Sequence, residues 1–133
     1  MTGRRPIDDV LAEARRRLQR VTPGEAHAAA RNGAVLVDVR SEDERRRQGV
    51  LVPGALHHPL SVVHWRRDPD VPTSNPKLPL SAHVILLCRE GYSSSLAAAL
   101  LRAIGFDHAT DVIGGVDAWR EGGFPVEPYP GAG

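Results

Sequence analysis

Two stretches constrain the fold of this chain more than any other feature. "AVLVDV" at residues 34 to 39 and "HVILLC" at 83 to 88 are nearly unbroken apolar runs of β-favouring residues. A strand with one wet face alternates apolar and polar residues, so continuous runs predict strands covered on both faces. Helical patterns surround them. Ile7, Val10, Leu11, Ala14 and Leu18 make one apolar stripe over residues 7 to 20, with Arg15, Arg16 and Arg17 turned mostly elsewhere. Thr22, Pro23 and Glu25 form a cap, N1 proline and capping box for a helix running to about residue 31, which Asn32 and Gly33 end. Ser41 caps a short charged helix that Gly49 stops.

After residue 88 come a glycine-containing loop, the apolar helix "SLAAALLRAIG", a third strand "TDVI" at 110 to 113 and a short final helix in "GGVDAWREGG". Strands alternating with helices imply an α/β fold with a mainly parallel central sheet flanked by helices on both faces. Between them "VPGALHHPL" predicts a turn and a brief extended segment, and the proline-rich residues 66 to 81 predict a mobile loop. The chain divides into an amphipathic helical extension (1 to 20), one domain (21 to 127) and a flexible tail (128 to 133).

Composition removes several classes of function. Seventeen basic residues against 16 acidic leave a net charge of +1, so nothing in the balance asks for nucleic acid. No apolar stretch approaches the roughly 18 residues that span a bilayer, and the N-terminus lacks the apolar core of a secretory signal. The expected location is the cytoplasm, with no membrane partner. A single cysteine excludes an internal disulfide and any CxxC metal or redox pair.

That cysteine, Cys88, closes the second apolar run immediately before a helix N-terminus. Ligands of open α/β sheets bind outside the carboxyl ends of strands, so its place is informative. The backbone N–H groups of Arg89, Glu90, Gly91, Tyr92, Ser93 and Ser94 can curl toward one point, with Gly91 permitting the turn and the helix dipole adding positive potential. Such surroundings favour a thiolate over a thiol, and a thiolate beside an anion cradle suits attack on an anionic sulfur donor. The alternative is a small apolar filler at a strand end.

The segments "VLVDVRSEDERRRQGVLVPGALHHPL", "VILLCREGYSSSLAAALLRAIGF" and "DVIGGVDAWREGGFPV", in this order, resemble the rhodanese family from about residue 21 to 126. The resemblance implies the rhodanese α/β fold and a sulfurtransferase. In it Cys88 takes a sulfane sulfur from thiosulfate or a related small anionic donor and passes it, as a persulfide, to a thiol or protein acceptor. Residues 89 to 93 then form the active-site loop around the bound sulfur. One departure stands out: many such enzymes carry Cys-x-x-Gly-x-Arg, and here Ser93 occupies the basic position, with Arg89 the replacement charge beside the nucleophile. A phosphatase of the Cys-x5-Arg type would need arginine where Ser94 stands.

Asp38, Arg40 and Glu44 match the family's Asp-x-Arg…Glu motif and read as a brace of the strand end, with Arg40 and Glu44 at pairing distance along a helix. No cofactor or metal is expected. His57 and His58 point apart if extended, and Gly114 and Gly115 lack phosphate-loop spacing and read as a tight turn. Trp65 and Trp119 read as core or cleft wall. The rival function is a weakly active or inactive module of the same family that binds a protein partner through residues 1 to 20 or 66 to 80.

Overall fold

The computed structural model describes residues 3 to 71 and 78 to 131. Residues 72 to 77 of the proline-rich stretch, and 132 and 133 of the tail, lie outside the described residues. The two apolar runs form β1 (Val35–Asp38) and β4 (Val84–Leu87), paired in parallel at the centre of a four-stranded sheet. Its edges are β3 (Leu56–His57) beside β1 and β5 (Thr110–Asp111) beside β4, both parallel to their neighbours.

Alternate residues of the central strands feed two cores, as a doubly covered sheet requires. Val37, Leu86 and Cys88 face a cluster with Ala97, Ala98 and Leu101 of α5 (Ser93–Ala103) and Val63 of α4 (Val63–Arg67). Leu36, Ile85 and Leu87 face Ala26 of α2 (Pro23–Arg31) and Val116 and Trp119 of α6 (Gly115–Glu121). Both capping boxes form: Thr22 with Glu25 on α2, and Ser41 with Glu44 on α3 (Glu42–Gln48), which Gly49 ends in the left-handed conformation. Among the described residues no helix is long and apolar enough to cross a membrane.

Three expectations are corrected. The helix predicted to reach residue 20 is α1 (Ile7–Arg16), and its apolar stripe packs on α5. Beyond it Leu18 enters the core, Gln19 accepts a hydrogen bond from Thr110, and Val21 bridges to Val112 at the edge of β5. Those tertiary contacts outweigh one more helical turn. Trp65 is 58% exposed, because α4 turns Val63 and Arg67, four residues apart, into the protein and leaves the intervening residue outside. Finally, the chain does not fray from residue 128: β6 (Glu127–Pro128) pairs antiparallel with β2 (Val50–Leu51), and Tyr129 N–H donates to the Gly49 carbonyl.

Candidate active site

The parallel register sets Asp38 beside Leu87 and Asp111 beside Leu86, so three strands end together around Cys88. Cys88 is 5% exposed, and the chain turns at once through Gly91, whose φ is +87°. A side chain there would meet the Gly114 nitrogen at 2.7 Å. Gly114 and Gly115, at φ +79° and +60°, make the tight turn expected of them. They also let α6 approach so closely that Val116 N–H donates to the Cys88 carbonyl at 2.9 Å and Asp117 N–H to that of Arg89 at 3.0 Å.

The backbone of the loop is thereby polarised. The carbonyls of Cys88, Arg89, Gly91 and Tyr92 all accept hydrogen bonds from protein donors. Gly91 N–H lies 3.1 Å from Cys88 Sγ, while the N–H groups of Arg89, Glu90, Tyr92, Ser93 and Ser94 have no acceptor among the described residues. A loop whose acceptors are filled and whose donors are free is suited to an anion.

Behind the sulfur lies a polar frame. Ser94, fully buried, has its Oγ 3.2 Å from Cys88 Sγ and donates to Asp111 Oδ2 at 2.7 Å. Ser95 donates to the same oxygen at 2.8 Å, and Arg20 grips the carboxylate through Nε at 2.9 Å and Nη2 at 3.3 Å. Arg20 and Arg15 both donate to the Gly91 carbonyl, at 3.0 and 2.7 Å, and the Arg15 guanidinium lies 5.5 Å from the centre of the Tyr92 ring.

The strand end next to the loop is braced by a second network. Buried Asp38 and Arg40 pair through Nε and Nη2 at 3.0 and 2.8 Å, and Arg40 Nη1 donates to Gln48 Oε1 at 2.8 Å. Gln48 in turn donates to Asp117 Oδ1 at 2.9 Å, which joins this brace to the start of α6. Glu44 does not pair with Arg40, because its carboxylate closes the capping box on Ser41. His57 Nε2 meets the Arg40 carbonyl and Nδ1 meets Arg45, whereas His58 Nε2 accepts from Arg67.

A family model described as the Rhodanese-like domain matches residues 22 to 122. The chain belongs to that family. It is 33% identical over 105 residues to the thiosulfate sulfurtransferase GlpE of Pseudomonas savastanoi pv. phaseolicola, covering 77% of this chain and 87% of the relative. The GlpE of Pseudomonas syringae pv. syringae is 32% identical over 114 residues, covering 85% and 96%. These relatives support a sulfurtransferase. A solved structure from Rhodopseudomonas palustris, a protein of unknown function called a possible tyrosine phosphatase, superposes with a TM-score of 0.85 at 28% identity, covering 96% of this chain and 98% of that one. The fold is thus the rhodanese-like one.

Within this rhodanese-like frame the predicted residues do not all converge. Cys88, Gly91, Tyr92 and Ser94 converge with Asp111, Arg15 and Arg20, while Asp38 and Arg40 brace the neighbouring strand end. Arg89, Glu90 and Ser93 are exposed and make no side-chain bond among the described residues. No bond fixes the Arg89 guanidinium at the loop among the described residues, whereas Arg15 and Arg20 are held against the Gly91 carbonyl. Sequence reasoning missed both, together with Asp111, Gln48 and Asp117. Only Asp111 carried a local signal, as a carboxylate inside an apolar strand.

Proposed function

We propose that this protein is a sulfurtransferase in which Cys88 accepts the outer sulfur of thiosulfate, or of a related small anionic donor, and passes it on as a persulfide. The observation that carries this reading is the polarised loop, with its carbonyls filled and its N–H groups free around one sulfur. The Cys88 thiolate attacks the outer sulfur of thiosulfate; the donor's S–S bond breaks and sulfite departs with the electron pair. The persulfide keeps one negative charge, which the free N–H groups of residues 89 to 94 are disposed to receive. A thiophilic acceptor, a small thiol or a protein thiol, then attacks the outer sulfur and Cys88 leaves as the thiolate. A reducing cytoplasmic setting would keep the single thiol available.

Phosphoryl transfer is less favoured. Ser94 stands where a Cys-x5-Arg loop has its arginine, and its hydroxyl is already committed to Asp111. Intact-protein mass spectrometry after incubation with thiosulfate tests the proposal. One added sulfur, removable by a reductant and missing in Cys88→Ser, is the expected result. If neither thiosulfate nor polysulfide adds sulfur to the wild-type protein, sulfur transfer fails and the partner-binding module takes its place.

A further inference from the structure

A buried carboxylate stands behind Cys88, and neither sulfur-transfer step uses it. Asp111 is fully buried, and every side chain bonded to it is a donor: Arg20, Ser94 and Ser95. That is a set only a carboxylate can accept throughout. Ser94 has one hydroxyl hydrogen, and Oδ2 at 2.7 Å takes it. Toward Cys88 Sγ, 3.2 Å away, Ser94 therefore presents lone pairs. Lone pairs receive the S–H of a thiol and repel a thiolate. For Ser94 to stabilise a thiolate, its hydroxyl must rotate and leave Asp111 with Ser95 and Arg20. The two protonation states of Cys88 thus correspond to two positions of one hydrogen.

We propose that Asp111 is a positioning residue that holds Cys88 as a resting thiol by engaging the Ser94 hydroxyl, and that this hydroxyl turns to Sγ as the thiolate forms. The S–H bond breaks with its electron pair kept on sulfur and its proton passing to solvent. The Ser94 O–H bond only rotates, so no covalent bond changes at Ser94 or Asp111. Other charged or titratable groups surround the loop: Arg15 and Arg20 from the N-terminal segment, Arg89, Glu90 and Tyr92 within it, Asp117 from α6, and Asp38 and Arg40 at the next strand end. Among the described residues the hydrogen bonds to Sγ involve only Gly91 N–H and Ser94 Oγ. Among the described residues Asp111 is thus the one charged group joined to the sulfur through a single hydrogen-bonded side chain.

The inference rests on Cys88 being the reacting sulfur, but its test uses no sulfur donor. Because the chain has one cysteine, alkylation by iodoacetamide reads a single site. The rate is measured against pH for the wild type, Asp111→Asn, Ser94→Ala and the double variant. Asp111→Asn is expected to move the midpoint of the profile down by about one pH unit, since the hydroxyl is freed for Sγ and a negative charge is gone. In the Ser94→Ala background the same substitution is expected to move it by less than half as much. An unchanged midpoint in a folded Asp111→Asn protein overturns the proposal. So does an equal shift in both backgrounds, which would mean that Asp111 acts through space alone. If Asp111→Asn does not fold, the infrared S–H stretching band of the resting protein decides. A hydrogen-bonded band that Ser94→Ala moves to the free-thiol position supports the arrangement, and identical bands refute it. A protein that passes these tests yet gains no sulfur from any donor would sink the sulfurtransferase reading and leave this one standing.

Discussion

Arg15 donates to the Gly91 carbonyl oxygen at 2.7 Å, so a helix that ends ahead of the family-matched residues grips the tip of the cysteine loop. The bond turns one more carbonyl of the loop outward and leaves the N–H groups for an anion. Arg20 also donates to that oxygen, so removing Arg15 weakens the grip without orphaning the carbonyl. Arg15→Ala is expected to raise the KM for thiosulfate several-fold, corresponding to about 1–2 kcal/mol for a charged hydrogen bond. Arg15→Lys is expected to recover only part of that, because one ammonium cannot serve Gly91 and Ser95 in the same planar geometry. Steady-state kinetics on the three proteins decide this, and identical KM values would rule out a role for the helix in the loop.

The approach of α6 to the loop yields a second prediction. A Cβ on Gly115 would lie 2.4 Å from the Cys88 carbonyl oxygen, at a φ of +60° that side chains rarely adopt. The atom in the way is backbone, and it accepts the Val116 N–H bond that ties the loop to α6. Gly115→Ala is expected to cost about 2–4 kcal/mol in urea unfolding and to abolish persulfide formation in the fraction that remains folded. Normal stability in this variant would show that α6 does not set the loop.

The Asp38–Arg40 pair should respond unequally to loss of either partner. Without Arg40, Asp38 keeps its backbone donor and the Arg45 Nε at 3.4 Å. Without Asp38, the fully buried Arg40 guanidinium retains only neutral acceptors, Gln48 and the Val50 carbonyl. Asp38→Ala is therefore expected to destabilise by about 3–5 kcal/mol, and Arg40→Met by less, with the difference read from denaturant midpoints. The reverse order would mean that Arg40 is held by something other than its charge partner.

What the residues revealed in advance follows the range of the forces involved. Val35–Asp38 and Val84–Leu87 were legible because burial on both faces leaves an unbroken apolar run. The caps at Thr22 and Ser41 were legible because a capping box closes within three residues. The turn after Cys88 was legible for the same local reason, a cysteine at a strand end and a glycine at positive φ in one loop. The frame behind them was not. Arg20 meets Asp111 across 91 residues, and no periodicity or spacing encodes that bond. The same long-range contacts ended α1 early at Arg16, where helical spacing alone favoured another turn. Trp65 misled for a different reason: its side of a five-residue helix is set by which neighbours are buried.

The last prediction concerns acid stability. His58 Nε2 accepts from Arg67, which is 1% exposed, and burial together with that guanidinium lowers the imidazole from 6.5 to about 4. Burial also lowers Arg67, and two of its guanidinium nitrogens have no hydrogen-bond partner among the described residues, so a charged imidazole beside it is strongly opposed. The unfolded chain therefore binds a proton at His58 between about pH 6.5 and 4 that the folded chain does not. Stability contributed by the neutral imidazole is complete above that window, falls as the pH drops through it and changes no further below about 4. The expected loss from this group is about 3 kcal/mol, read from urea unfolding at closely spaced pH values. His58→Gln retains an acceptor for Arg67 and should flatten this part of the profile. An equally steep fall in that variant would assign the acid sensitivity to other groups.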